Sequence, residues 1–236
     1  MNTASASQVE KDVRELFDIG AHLGHKKNRL HPKARKYVYQ IVNGVSIIDL
    51  TKTVGTLQNA KTFLASQAKE GKVLLVVATK KIANQYAGDL CRQYGIPYVT
   101  NKWQSGLLTN FETIIKNVKK LQTLKDQKEN GEWDKFVKHE RNALDKQLMR
   151  LERFYGGLLT LAKRPDLLFL VDSKKERNSL IEAKRNGIPV VGLIDTNSDP
   201  DQLDFAIMAN DDSPAVLQKV ITDLIESYAK NREQAT

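Results

Sequence analysis

Six cationic side chains fall within eleven residues: Lys26, Lys27, Arg29, Lys33, Arg35 and Lys36. No acid stands between Ile19 and Ile48, and His22, His25 and His31 share the stretch. Pro32 and the lack of apolar periodicity make His22 to Lys36 a loop. Solvated charge runs usually mix signs, and this one does not. Such a loop pairs with phosphate oxygens, and Tyr37 and Tyr39 beside it offer rings that stack on an exposed base. RNA binding is the chemistry expected here, with His31 among the contacts. Three histidines also raise zinc. No cysteine lies near, however, and the surrounding cations should repel a divalent ion. No metal is expected.

Two further groups could meet nucleic acid. Lys80 and Lys81 follow the apolar run Val73–Ala78 and can meet a phosphate as point charges. Lys102 and Trp103 open the segment N-K-W-Q-S-G-L-L-T-N, where the ring could stack while the lysine meets phosphate. The alternative for Trp103 is packing at a junction between structural units.

Catalytic constellations are missing from the sequence. No G-x-G-x-x-G follows a strand, and no G-x-x-x-x-G-K-[ST] is present, so neither phosphate cradle can form. Asp195-x-Asn197-x-Asp199 begins like a calcium loop, but Pro200 replaces the glycine at position six and Ala206 the acid at position twelve. A turn is the better reading. Cys91 sits in a helical pattern and reads as a small buried hydrophobe. No cofactor and no catalytic residue is expected.

The elements that must hold these groups follow from periodicity. Val9 to Phe17 reads as an amphipathic helix after the start MNTASASQVEKD, which reads as disordered and lacks the apolar core of a secretory signal. Tyr37–Val42 and Val45–Asp49 flank Asn43-Gly44, a hairpin signal. Asp49 or Thr51 caps a helix ending near Gly71. An alternation follows: strands at Lys72–Ala78, Ile96–Thr100, Asp166–Asp172, Pro189–Asp195 and Phe205–Ala209, and helices at Lys81–Tyr94, Lys175–Asn186 and Ser213–Lys230. Strands this apolar are covered on both faces, which predicts a doubly wound α/β domain with a mostly parallel sheet.

Between Thr109 and Ala162 no strand is expected. Phe111, Ile114, Val118 and Leu121, then Leu144, Leu148, Leu151, Tyr155, Leu158 and Ala162, recur at spacings of three and four. That pattern predicts an antiparallel coiled-coil hairpin over 109–162, inserted between the α/β segments 1–108 and 163–236. Eleven basic and eight acidic residues line Phe111 to Phe154, as expected of a solvated helical surface or an RNA contact.

Composition narrows the partners. The chain has 236 residues, is 41% hydrophobic and 28% charged, which is globular, and carries a formal net charge of +9, which favours polyanions. No run approaches the roughly 18 apolar residues of a membrane span, so no membrane partner is expected. The single cysteine suits a reducing compartment, and a cytoplasmic location is expected.

Taken together the motifs resemble a known family. They are G-A-H-L-G-H at Gly20–His25, I-I-D-L-T-K-T at Ile47–Thr53, A-T-K-K at Ala78–Lys81, K-W-Q-S-G-L-L-T-N-F at Lys102–Phe111 and G-E-W-D-K at Gly131–Lys135. L-E-R-F-Y-G-G-L at Leu151–Leu158, P-D-L-L-F-L-V-D at Pro165–Asp172 and N-G-I-P-V-V-G-L-I-D-T-N-S-D-P at Asn186–Pro200 complete the set. In this order they resemble the bacterial-type family of the second protein of the small ribosomal subunit. The resemblance implies a flavodoxin-like domain of strand order 2-1-3-4-5 with a protruding helical hairpin. It implies a structural role between head and body of the subunit, contact with small-subunit ribosomal RNA, and neighbouring ribosomal proteins, the large messenger-binding one among them. It implies no small-molecule substrate and no enzymatic activity. Leu30, His31 and the Lys102-to-Gly106 segment depart from the family pattern, and the tail beyond Lys230 is short. A nucleotide-binding α/β protein and a coiled-coil adaptor are the competing readings.

Overall fold

The computed structural model describes residues 6–233, so the first five residues of the start read as disordered lie outside it. From Ala6 the chain is already helical: α1 runs Ala6–Asp18. A three-stranded antiparallel sheet follows, built from β1 (Leu23–Lys26), β2 (Val38–Val42) and β3 (Val45–Ile48) in the order β1-β3-β2. β1 lies within the stretch expected to be loop throughout. Its four residues have no apolar alternation to announce a strand, and β3 supplies the pairing. Asn43 (φ 49) and Gly44 (φ 77) make the tight turn between β2 and β3, both in the left-handed region such a turn requires.

Asp49 then caps α2 (Leu50–Lys69), accepting from the Thr51 amide at 3.1 Å. Five parallel strands follow: β4 (Leu74–Val77), β5 (Tyr98–Val99), β6 (Leu167–Val171), β7 (Val190–Ile194) and β8 (Phe205–Met208). Their order is β5-β4-β6-β7-β8, which is 2-1-3-4-5 counted within the sheet. Between them run α3 (Lys81–Gln93), α4 (Phe111–Glu129), α5 (Lys138–Tyr155) and α6 (Arg177–Arg185), and α7 (Pro214–Glu233) closes the chain.

Alternation along the buried strands divides two cores. Leu74, Val76, Leu167, Phe169 and Val171 pack with α1, α2, α3 and α7. Leu75, Val77, Leu168 and Leu170 face the other way, against α6 and the bases of α4 and α5. Completely burying one such side chain stabilises by roughly 1.5–3 kcal/mol, so the buried strands contribute much of the fold's stability.

Two expectations need correction. The helix expected from Lys175 begins at Arg177, because Asp172 (φ 68) turns the chain and accepts from the Lys175 amide at 3.1 Å. The apolar repeat carried through Leu158 and Ala162 outlasts its helix: α5 stops at Tyr155, and Ala162 is exposed. α4 and α5 run in opposite directions, with Asn117 against Tyr155, Lys125 against Glu152 and Lys128 against Asp145. Their bases share the sheet's second core through Ile114, Val118, Leu121 and Tyr155.

Candidate nucleic-acid interface

The basic stretch is a folded corner. β1 carries it out to Lys26, then a single 3-10 turn holds Lys27–Arg29 and a longer one holds Pro32–Tyr37. Ala34 is the buried anchor of the second turn. The corner is clasped by a turn more than 160 residues later in the chain. Thr196 Oγ1 accepts from the His25 amide at 2.9 Å, and the Thr196 carbonyl accepts from the His31 amide at 2.8 Å. Each such bond adds about 1 kcal/mol. Gly24 permits the close approach, since a Cβ there would lie 2.7 Å from the Thr196 methyl.

The clasp divides the six cations. Lys33 Nζ reaches Asp199 at 3.1 Å and Asp201 at 3.5 Å, and Lys36 Nζ reaches Asp201 at 2.9 Å. The hydrogen bond that Lys33 donates to Asp199 raises the Lys33 pKa, and the one that Lys36 donates to Asp201 raises the Lys36 pKa. These are exposed pairs and contribute little to stability. Lys26, Lys27, Arg29 and Arg35 are exposed and carry no ion pair among the described residues. Four exposed charges without an ion pair on one corner make it a candidate polyanion site.

The three histidines serve separate partners. His22 stacks on Phe17, with ring centroids 4.2 Å apart. His25 Nδ1 lies 2.8 Å from Asp195 and its Nε2 2.9 Å from the Asn197 amide group, with Asp212 at 3.9 Å. His31 is half-buried, with its Nδ1 enclosed. The absence of carboxylates near these rings holds only along the sequence, and the fold overturns it by bringing in Asp195 and Asp212. Even so, the described residues contain no group of three His, Cys, Asp or Glu arranged to hold a metal ion.

Lys80 is placed differently from the corner cations. At the carboxyl end of the parallel sheet its Nζ sits 2.7 Å from Asp211, 2.8 Å from Asp212 and 3.5 Å from Asp172. Burial pulls its pKa down, but the Asp211 and Asp212 hydrogen bonds win and the pKa is raised. Asp211 is pushed up to about 6 by burial and by Asp172, with Lys80 only partly offsetting them. One ammonium serves three carboxylates here. Lys80 is thus enclosed by acids, while Lys81, the first residue of α3, is exposed.

Trp103 is buried, at 6% exposure, and cannot offer its face to a base as expected. Its indole N–H donates to Glu182 at 3.0 Å, and the same carboxylate accepts from the Gly106 and Leu108 amides at 2.9 and 3.1 Å. Glu182 on α6 thereby pins the whole 102–110 segment to the domain, so Trp103 takes the junction-packing alternative. Lys102 beside it stays exposed. Sequence reasoning missed Thr196, Asp199 and Asp201 as partners of the basic corner. The turn-forming composition of Asp195–Pro200 was the one signal available, and it did not say what the turn holds.

A family model for ribosomal protein S2 matches residues 16–231. The chain belongs to the ribosomal protein S2 family. The small ribosomal subunit protein uS2 of Sulfurimonas denitrificans (strain ATCC 33889 / DSM 1251) is 39% identical over 220 residues, covering 93% of this chain and 85% of that protein. Members are structural proteins of the ribosome, not enzymes. Among the described residues no helix is long and apolar enough to cross a membrane.

Proposed function

We propose that this chain, a structural constituent of the small ribosomal subunit by its family, holds ribosomal RNA through the clasped basic corner. Lys26, Lys27, Arg29 and Arg35 neutralise phosphates there, and His31 lies within the same surface. Lys81 and Lys102 add exposed charge elsewhere. Lys33 and Lys36 contribute by exchanging their aspartates for phosphate. The observation that carries this reading is the set of four exposed cations left uncompensated on a corner fixed by Thr196. The α4–α5 pair is read as a coiled-coil hairpin inserted over 109–162, and the opposed ion pairs along it support that reading. Partners are small-subunit RNA and neighbouring ribosomal proteins, including the large messenger-binding one, in the cytoplasm.

Sedimentation through a sucrose gradient tests this. The chain should travel with the small subunit at moderate salt and partly leave it at high salt, as counterion release requires. A chain that stays at the top of the gradient at both salt concentrations overturns the reading.

A further inference from the structure

We infer that Tyr39 is a stacking platform for one unpaired RNA base beside the basic corner; this rests on the RNA-binding reading above. Base stacking needs an open aromatic face near cations that hold the flanking phosphates. The two tryptophans do not provide one, since both are buried. The other rings near the corner are already engaged. Phe17 is stacked on His22, and Lys36 Nζ sits 5.5 Å from the Tyr37 centroid. Tyr39 is 73% exposed, the most open large apolar side chain among the described residues, and no ring or hydroxyl partner holds it.

Its exposure is built into the backbone. In β2, Val38 pairs with Ile48 while Gln40 pairs with Ile47, so two steps on β2 match one on β3. Tyr39 is the extra residue of this bulge. A regular strand alternates in and out, yet here Tyr39 and Gln40 are both exposed. Bulges re-aim side chains, and this one lies on an edge strand, where no neighbour covers the ring. Arg35, exposed and unpaired, lies four residues earlier, where the chain enters the same strand. An open ring with an unpaired arginine four residues before it fits a nucleotide whose base stacks and whose phosphate is paired.

The test compares two RNA probes on the purified full chain: single-stranded poly-adenylate and a blunt duplex without loops. Tyr39→Ala should weaken poly-adenylate binding by about five- to a hundredfold, leaving duplex affinity and the salt slope unchanged. Tyr39→Phe should keep wild-type affinity. Unchanged poly-adenylate binding by Tyr39→Ala overturns the platform, and so does an equal loss on both probes. The Lys26, Lys27 and Arg29 triple alanine variant separates the two ideas. If that variant weakens both probes while Tyr39→Ala weakens neither, the stacking inference fails and the basic-corner reading stands. If the triple variant also binds normally, the basic-corner reading fails.

Discussion

Gly24 lies so close to Thr196 that the Cβ of any other residue would meet the threonine methyl at 2.7 Å and its hydroxyl at 2.9 Å. This close approach joins the first strand of the small sheet to the turn after β7, and with the two Thr196 hydrogen bonds it ties the basic corner to that turn.

Gly24→Ala should therefore destabilise the chain by about 1–3 kcal/mol, the usual cost of overpacking. Urea unfolding measures it. Thr196→Ser removes the methyl and should recover part of the loss, although the Ser46 carbonyl, 3.0 Å from the added Cβ, still resists. Full stability in Gly24→Ala alone would show that the clasp is loose.

Alanine at Lys26, Lys27 and Arg29 together should weaken RNA binding without regard to sequence. On a single strand the plot of log affinity against log salt should flatten by about 0.7 for each phosphate that is no longer neutralised. Filter binding over a salt series reads the slope. An unchanged slope would remove these three residues from the interface.

Lys80 tests a structural role against an RNA-binding one. Lys80→Ala leaves Asp211 buried without its cation, and breaking such a pair costs about 3–5 kcal/mol. The RNA salt slope should not change. A flattened slope with undiminished stability would return Lys80 to the interface.

Asp211 also predicts a pH effect. Its folded pKa of about 6 lies above the ordinary carboxylate value, so the folded state binds its proton more tightly than the unfolded chain does. On this group alone, stability falls as pH rises from about 4 to about 6. Asp199 and Asp201 act in the opposite sense. Their lowered pKa values contribute stability that appears as pH rises through the range below about 4. Asp211→Asn should gain stability relative to the parent chain across pH 4 to 6, measured by thermal melts at each pH. A flat difference curve would contradict the assignment.

Glu182→Ala should be among the most damaging single changes outside the sheet. It strips the acceptor from the Trp103 indole and from two amides, and unsatisfied buried donors cost about 1–3 kcal/mol each. Glu182→Gln keeps one acceptor oxygen and should lose less. Near-UV circular dichroism of Trp103 would report the loosening directly.

Much of this protein was determined locally. Continuous apolar runs placed the parallel strands, because a strand buried on both faces must be apolar throughout, and helical spacing placed the helices between them to within a few residues. Asn43-Gly44 announced its turn, since few residue pairs accept two positive φ angles. The concentration of charge in Lys26 to Lys36 marked the corner, because like charges that close together need either solvent or a polyanion. β1 stayed hidden, since L-G-H-K carries no alternation and becomes a strand only by pairing with β3.

Tertiary structure alone decided which cations are free. Asp199 and Asp201 are 166 and 165 residues from the lysines they balance, and Asp211 and Asp212 stand 131 and 132 residues from Lys80. Charge patterns in a sequence report neighbours along the chain, whereas Coulomb attraction acts through space. The same limit governed Trp103, whose burial depends on Glu182 arriving from another helix. It governed Tyr39 as well, whose open face depends on a one-residue mismatch between two paired strands.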